Sequence, residues 1–251
     1  MPQDEQPTVE GEVLYCMGRS KVVRLGKDRV VKSAPDLRIQ EADTLRFIAA
    51  NTTIPVPKVH DVHWKDGKVA AIVMDYMPGQ QLDKAWANMN HDQKLSVTRE
   101  LHGYVSQLRN LKGDYIGGLN HGKAIIGKYV TIECGPFNSE KLFNEFLVSD
   151  ISPKAPEMLL HYARHALDDN HEIVFTHSDL APRNILVNEG RITAILDWEL
   201  AGWYPEYYEY IKTFQDWKPM PDWPEYLYNV LPPRYEKEYI GYFFLTRLSG
   251  H

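Results

Sequence analysis

The stretch HSDLAPRNILVNEGRITAILDW, residues 177–198, decides the fold and chemistry expected of this chain. It places Asp179, Asn184 and Asp197 around a predicted strand–turn–strand hairpin. Asp197 follows the apolar run TAIL, so the returning strand brings it back beside the first two residues. Two carboxylates and an amide oxygen are hard ligands that suit Mg²⁺. The stretch therefore predicts a metal site at the mouth of a cleft.

The spacing within this stretch matches a known catalytic pattern. Phosphoryl transfer needs a carboxylate that takes the acceptor's proton and oxygen ligands that hold a metal. The kinase catalytic loop has the form H-x-D, with Asn five residues after the Asp and a metal-binding Asp ending a later strand. The set His177, Asp179, Asn184 and Asp197 follows that order. Singly, each residue also suits a surface turn, but the joint spacing favours the functional interpretation.

The N-terminal part offers a lysine and a glutamate that would anchor phosphates. Lys32 ends the strand-like run RVVK, and Glu41 lies in a helix predicted over residues 37–50. Asp43 competes for the role of Glu41. Alone, Lys32 suits a solvated strand end and Glu41 a polar helix face. Beside the C-terminal motif, they favour a nucleotide-anchoring pair.

The remaining pattern changes from strands to helices along the chain. Residues 12–77 predict a small antiparallel sheet with one inserted helix, including a hairpin joined at Asp66-Gly67. The pattern then becomes mainly helical, and a helix rich in aromatic residues is expected after Asp197. Other expected elements are helices over 91–111, 139–150 and 156–169, and a loop over 112–137. This order predicts an α+β protein with two lobes, residues 1–77 and 78–251.

Several segments resemble the superfamily of aminoglycoside phosphotransferase and choline kinase-like small-molecule kinases, especially its fungal phosphotransferase-family branch. They are MGRSKVVRL, EADTLRFIAANTTIPVPKV, IVMDYMPGQQL, GPFNSEKLFNEFL, HSDLAPRNILV and ILDWELAGWYPEYYEY, and they span about residues 13–217. The resemblance implies a bilobal protein-kinase-like fold with ATP between the lobes. It also implies that Asp179 is the catalytic base and that Asn184 and Asp197 hold Mg²⁺. His177 is expected to position the catalytic loop.

The resemblance also assigns residues to the nucleotide. Lys32 would contact the α- and β-phosphates, and Glu41 would orient it. Met74 would line the back of the adenine pocket, while Asp75 and Met77 would bind adenine through backbone groups. The phosphate loop would include Gly18 and Ser20.

Two departures from the family pattern matter. The loop Met17-Gly18-Arg19-Ser20-Lys21 lacks G-x-G-x-x-G, which argues against a eukaryotic protein kinase but suits antibiotic-kinase-like members. The catalytic loop reads HSDL where relatives often read HGDL. Ser178 is expected to be tolerated unless the loop needs a positive φ there.

The expected partner is a small molecule that accepts the phosphoryl group on a hydroxyl. Aromatic and acidic residues after Asp197 would suit a cationic, aminoglycoside- or choline-like acceptor through cation–π contacts and ion pairs. Glu199 and Trp203 are the candidates, although aromatic residues of this kind also pack cores. The sequence leaves open the acceptor's identity, the oligomeric state and the role of residues 218–251.

Composition narrows the remaining possibilities. A net charge of −6 disfavours nucleic acid as a partner. Cys16 and Cys134 match no metal-ligand spacing, and the N-terminus has no apolar secretion signal. We expect a cytoplasmic protein with no membrane association. Two alternatives remain: a pseudokinase that binds nucleotide without turnover, and a metal-dependent hydrolase using His177, Asp179 and Asp197.

Overall fold

The computed structural model describes residues 11–127, 131–149, 151, 155–214, 220 and 222–249. Its N-terminal part is a five-stranded antiparallel sheet with one helix. The strands are β1 (Glu12–Met17), β2 (Ser20–Leu25), β3 (Arg29–Ser33), β4 (Val59–Lys65) and β5 (Lys68–Asp75), and the helix is α1 (Ile39–Asn51). The sheet order is β1-β2-β3-β5-β4. This confirms the sheet and inserted helix predicted from the sequence.

Turn residues and alternating burial explain this sheet. The turns between its hairpin strands use left-handed backbone, at Gly18, Gly26 and the pair Asp66-Gly67, which suits glycine and aspartate. Along β5, apolar residues are buried on the face that packs against α1. Met74 of β5 joins Leu45 and Ile48 of α1 in one core cluster. The helix is therefore fixed against the sheet by apolar packing.

The rest of the chain is mainly helical. Its helices are α2 (Leu82–Ala85), α3 (His91–Asn110), α4 (Glu140–Ser149), α5 (Glu157–Arg164), α6 (Tyr208–Phe214), α7 (Trp223–Val230) and α8 (Glu236–Ser249). Its strands are β6 (Gln80–Gln81), β7 (Ala124–Ile126), β8 (Ile132–Cys134), β9 (Ile173–Thr176), β10 (Ile185–Asn188), β11 (Arg191–Ile195) and β12 (Gly202–Pro205). None of the helices in the described part of the chain has the length and apolar character needed to cross a bilayer.

Helix α3 forms the spine of this part. Asn90 and Gln93 make reciprocal side-chain to backbone bonds at its N-terminus, a capping box. Its buried residues recur at helical spacing, and they are Val97, Thr98, Leu101, Val105 and Leu108. The helix packs against α7 and β9, so it supports the strand that leads into the catalytic loop.

The structure corrects three predicted elements. The loop expected over 112–137 contains the β7–β8 hairpin, which the buried Tyr204 hydroxyl ties down through the backbone of Ile125, at 3.1 and 3.2 Å. The helix expected over 156–169 is shorter, since α5 ends at Arg164. The helix expected directly after Asp197 is wrong, because β12 pairs with β9 before α6 begins. Long-range contacts, absent from local periodicity, decide the first and the third.

Two residues of the predicted motif adopt left-handed backbone. Ser178 has φ +67° and Asp197 has φ +64°. Aspartate tolerates this conformation better than serine does. Because Ser178 is fully buried, the loop holds it in place. Glycine would adopt this conformation without steric cost, whereas the serine carries strain of about 1–2 kcal/mol.

A buried ion cluster ties α4 and α8 to the segment before β9. His171 Nδ1 lies 2.8 Å from Glu140 Oε1, and its Nε2 lies 3.5 Å from Glu238 Oε1. The His171 backbone N–H also donates to Glu140, and the Tyr207 ring packs against the imidazole. The hydrogen bond that His171 donates to Glu140 raises the pKa of His171, although burial opposes this, and the charges of Glu140, Glu238 and Glu206 add to the rise.

We expect Ser178→Gly to raise the free energy of unfolding by about 1 kcal/mol. Relief of the left-handed strain outweighs glycine's extra freedom in the unfolded chain, which costs about 0.5–1 kcal/mol. Urea denaturation measures the change. Ser106→Gly in α3 is the matched control and should lower stability, because it only weakens a helix. A destabilised Ser178→Gly protein would contradict the strain argument.

We expect His171→Gln to lower the free energy of unfolding by about 2 kcal/mol at pH 5.5 and by less at pH 9. The folded pKa of His171 is raised. Its stabilising contribution is therefore complete below the unfolded pKa of about 6.5 and disappears as pH rises through the folded pKa. Urea denaturation at both pH values checks this, with the exposed His63→Gln as control. Equal losses at both pH values would refute the role of the proton.

Candidate active site

The catalytic loop joins β9 to a 3₁₀ turn at Pro182–Asn184. Within it, Asn184 Nδ2 donates to the Asp179 backbone oxygen at 2.9 Å and to Asp179 Oδ2 at 2.7 Å. These bonds hold the Asp179 carboxylate at the surface of the cleft, with a quarter of its side chain exposed. Because the amide nitrogen makes both contacts, the carbonyl oxygen is the atom that Asn184 offers to a cation.

His177 is buried behind this loop and positions it. Its Nδ1 accepts from the Asp179 backbone N–H at 3.1 Å, and its Nε2 lies 3.0 Å from the Leu196 carbonyl. The two contacts assign the neutral tautomer with the proton on Nε2. The imidazole also packs on Trp198, with ring centroids 4.4 Å apart. The histidine therefore joins the catalytic loop to the strand end that carries Asp197.

Glu209 is a supporting residue that sequence reasoning missed. It lies on α6, is 4% exposed, and its Oε2 accepts the His177 backbone N–H at 2.6 Å. Burial raises the pKa of this carboxyl, while His177 and the backbone amides of His177 and Ser178 lower it. An acid within the aromatic run YYEY was the available signal, because such a residue must be paired when buried.

Lys32 stands at the centre of the opposite wall. Its Nζ lies 2.8 Å from both Glu41 Oε1 and Asp197 Oδ1, and 3.7 Å from Glu199 Oε2. Asp43, the competitor for the glutamate's role, instead pairs with Arg46. The structure thus unites the lysine, the helix glutamate and the hairpin aspartate predicted from three separate parts of the sequence.

The charges of this cluster are unbalanced. Burial lowers the pKa of Lys32, but Glu41, Asp197 and Glu199 outweigh it, so the pKa is raised. Burial raises the pKa of Glu41 to about 7, and Asp197 and Glu199 add to the rise against Lys32. Burial, then Asp197, also raises the pKa of Glu199. Excess negative charge remains after the lysine is counted.

That excess fits a divalent cation. Oxygens of Glu41, Asp197 and Glu199 lie within 4.8 Å of one another, and carboxylates are the ligands that Mg²⁺ prefers. The Glu41 side chain is buried, whereas those of Asp197 and Glu199 are partly exposed, so the oxygens of Asp197 and Glu199 are the more accessible to a cation. That Asn184 joins them as a ligand stays a prediction. Asn184 and Asp197 flank the β10–β11 hairpin. The two ends of the hairpin are joined by a bond from the Leu196 backbone N–H to the Asn184 backbone carbonyl, at 2.8 Å.

The residues predicted for the nucleotide lie at two ends of the sheet that carries Lys32, since Lys21 pairs with Ser33 while Asp75 pairs with Arg29 at the start of β3. Gly18 lies in the β1–β2 turn, and Ser20 begins β2 beside it. The turn therefore lies at the lysine's end of the sheet. At the end of β5, Met74 is buried, and Met77 follows two residues beyond Asp75.

The Asp75 side chain is engaged by its neighbours at the end of the sheet. Its carboxylate contacts His60 Nε2 at 2.5 Å and accepts the Lys58 backbone N–H, while its own N–H donates to the Lys58 carbonyl. Only the Asp75 carbonyl is then suited to contact adenine. The adenine-binding roles of Met74, Asp75 and Met77 stay predictions.

The two acceptor candidates lie apart from each other. Glu199 belongs to the lysine cluster, as its 3.7 Å contact with Lys32 shows. Trp203 packs among Phe175 and Phe47, with ring centroids 4.9 and 6.0 Å away. Glu199 is therefore part of the charged cluster around Lys32, and Trp203 is part of an aromatic core. Their acceptor roles stay predictions, and the structure does not join them into one cation-binding wall.

Comparison with known proteins agrees with the phosphotransferase resemblance of the sequence. A family model described as "Phosphotransferase enzyme family" matches residues 16–231. No curated protein matches the chain by sequence. The apo structure of a thermostable mutant of aminoglycoside phosphotransferase APH(4)-Ia is 16% identical, with a TM-score of 0.65, covering 94% of this chain and 84% of that chain.

Two ligand-bound neighbours share the fold at similarly low identity. The streptomycin–ATP ternary complex of APH(2")-IIa is 13% identical, with a TM-score of 0.61, covering 93% of this chain and 81% of that chain. The GDP and kanamycin complex of APH(2")-IIia is 14% identical, with a TM-score of 0.63, covering 96% and 85%. These likenesses confirm the kinase-like fold. With the family match over most of its length, the chain belongs to the phosphotransferase enzyme family.

Proposed function

We propose that this protein is an ATP- and Mg²⁺-dependent kinase that moves the γ-phosphoryl group of ATP to a hydroxyl of a small molecule. The observation that carries the proposal is the Lys32–Glu41–Asp197 cluster, with its 2.8 Å contacts, facing a loop that presents Asp179. Nucleotide use is supported by neighbours that hold ATP with streptomycin and GDP with kanamycin.

In the proposed reaction, one side of the cleft accepts the proton of the acceptor hydroxyl and the other side binds the phosphates. The acceptor hydroxyl gives its proton to Asp179, and its oxygen forms a bond to the γ-phosphorus. The bond from that phosphorus to the β–γ bridging oxygen breaks, and its electron pair leaves with ADP. Asp179 suits the base because Asn184 and His177 fix its carboxylate and backbone at the cleft surface.

The opposite wall holds the phosphates. Lys32 would donate to the α- and β-phosphate oxygens, and its bond to Glu41 keeps its ammonium aimed into the cleft. Mg²⁺, when bound, would neutralise phosphate charge. The oxygens of Asn184, Asp197 and Glu199 would hold it. Glu199 is a second acidic ligand that was not predicted as one, because the sequence placed it with the acceptor.

The alternatives are weaker on the same site. A nucleotide-binding protein without turnover has no need of Asp179 at the surface beside intact cation ligands. A metal-dependent hydrolase leaves unexplained a lysine that is bonded to Glu41 and Asp197. We therefore retain the kinase as the single proposed function.

The central test replaces the base. Asp179→Asn should lower acceptor-stimulated ADP release from Mg·ATP by roughly 10²- to 10⁴-fold, because the hydroxyl loses its proton acceptor. A coupled assay over aminoglycosides, amino alcohols, choline, sugars and hydroxy acids measures it. Asp92→Asn, an exposed change at the start of α3, is the control and should keep full activity. Undiminished turnover in Asp179→Asn would refute the proposal.

A second test replaces the proposed cation ligand. Mg·ATP at about 100 times its Kd should stabilise the wild-type protein by about 2.7 kcal/mol, and Asp197→Asn should abolish the Mg²⁺-dependent part. Asparagine also tolerates the left-handed backbone at this position, so the fold is expected to persist. Thermal denaturation with ATP, with and without Mg²⁺, measures the shift. A variant that keeps the full Mg²⁺-dependent shift would exclude Asp197 from the cation site.

A further inference from the structure

Arg183 shares the carboxylate of the proposed base. Its Nη2 lies 2.7 Å from both Asp179 Oδ1 and Asp179 Oδ2. The Arg183 side chain is 47% exposed, and its backbone carbonyl accepts from Gln81 Nε2 at 2.9 Å. The arginine is thus held by the 3₁₀ turn at its backbone and by Asp179 at its guanidinium, on the cleft side of the loop.

The contact between Arg183 and Asp179 sets an upper limit on the distance from the guanidinium to the hydroxyl of a bound acceptor. An acceptor hydroxyl that gives its proton to Asp179 must hydrogen-bond the same carboxylate. Two groups that each lie one hydrogen bond from one carboxylate oxygen are at most about 5.5 Å apart. A substituent on the carbon next to that hydroxyl therefore falls within reach of the guanidinium.

The charge of Arg183 then selects among substituents. Arginine stays protonated in proteins and binds carboxylate and phosphate oxygens through paired N–H donors. An ammonium group at the same place would face a like charge at close range. The groups that could attract a cation are engaged elsewhere. Asp179 is bonded to Arg183 itself, Glu199 lies beside Lys32, and Trp203 packs among Phe47 and Phe175.

We propose that Arg183 is a specificity-determining residue that binds an oxyanion carried by the acceptor next to its reactive hydroxyl. The acceptor class is then small hydroxy acids, with a carboxylate or a phosphate as the anion, in place of the polycations bound by two of the structural neighbours. The inference rests on the proposed kinase function and names its substrate class.

The test uses acceptors that share a skeleton and differ in charge. Glycerate, glycerol and 3-amino-1,2-propanediol present the same vicinal hydroxyl beside an anion, a neutral group and a cation; glycerol phosphate supplies the phosphate, and kanamycin the polycation. ADP release from Mg·ATP is measured for wild type, Arg183→Gln and Arg183→Lys. Arg191→Gln, an exposed arginine near the turn of the β10–β11 hairpin, is the control.

For wild type we expect kcat/KM to be highest with an anionic acceptor. Arg183→Gln should lower that value by roughly 10- to 100-fold, mostly through KM, and erase the preference over glycerol. Arg183→Lys should restore part of it, because the charge returns without the planar pair of donors. The KM for Mg·ATP should stay unchanged in both. Comparing glycerate with glycerol phosphate identifies which anion is used.

Three results would overturn the inference: a wild-type preference for the cationic acceptors, turnover with none of the anionic ones, or an unchanged preference in Arg183→Gln. If kanamycin is the preferred acceptor and its turnover depends on Asp179, the inference about the acceptor class fails, but the proposed kinase function stands. If the wild-type protein does not bind Mg·ATP, the proposed kinase function itself fails. Mg·ATP binding by Arg183→Gln, measured by thermal denaturation, separates a failed fold from a lost acceptor contact.

Discussion

One ammonium group holds the two parts of this molecule in register at the cleft. Lys32 on β3 bonds Glu41 on α1 and Asp197 at the end of the β10–β11 hairpin, both at 2.8 Å. Because the lysine and Glu199 are only partly exposed, these charges interact more strongly than they would in water. The three carboxylates of Glu41, Asp197 and Glu199 outnumber the one ammonium, and this imbalance is the physical reason that the cluster suits a divalent cation with phosphates.

The catalytic loop is organised around the same hairpin. His177 bonds the backbone of Asp179 on one side and of Leu196 on the other. Buried Glu209 holds the histidine's own N–H from α6. The base and the aspartate at the strand end are therefore linked through one imidazole. The left-handed backbone at Ser178 and Asp197 is the strain that this arrangement retains.

The parts of the site that could be predicted from the sequence are those whose residues lie close together along the chain with a characteristic spacing. Asp179, Asn184 and Asp197 lie within 19 consecutive residues around one hairpin, and the alternation of β5 and the helical period of α1 indicated the sheet and its helix. The pairing of Lys32 with Asp197 spans 165 residues, so only the kinase pattern suggested it. Glu209 and the packing of Trp203 were missed because tertiary neighbours decide their roles. Arg183 was missed although its partner Asp179 lies only four residues earlier, because the spacing alone does not show where the guanidinium lies.

The central claim is that the γ-phosphoryl group passes to an acceptor and not to water. Phosphorus NMR of Mg·ATP with the protein and a mixture of small alcohols tests this most directly. We predict a phosphomonoester resonance that grows in step with ADP and is lost in Lys32→Met. Release of inorganic phosphate alone, or nucleotide that binds and is never turned over, would contradict it.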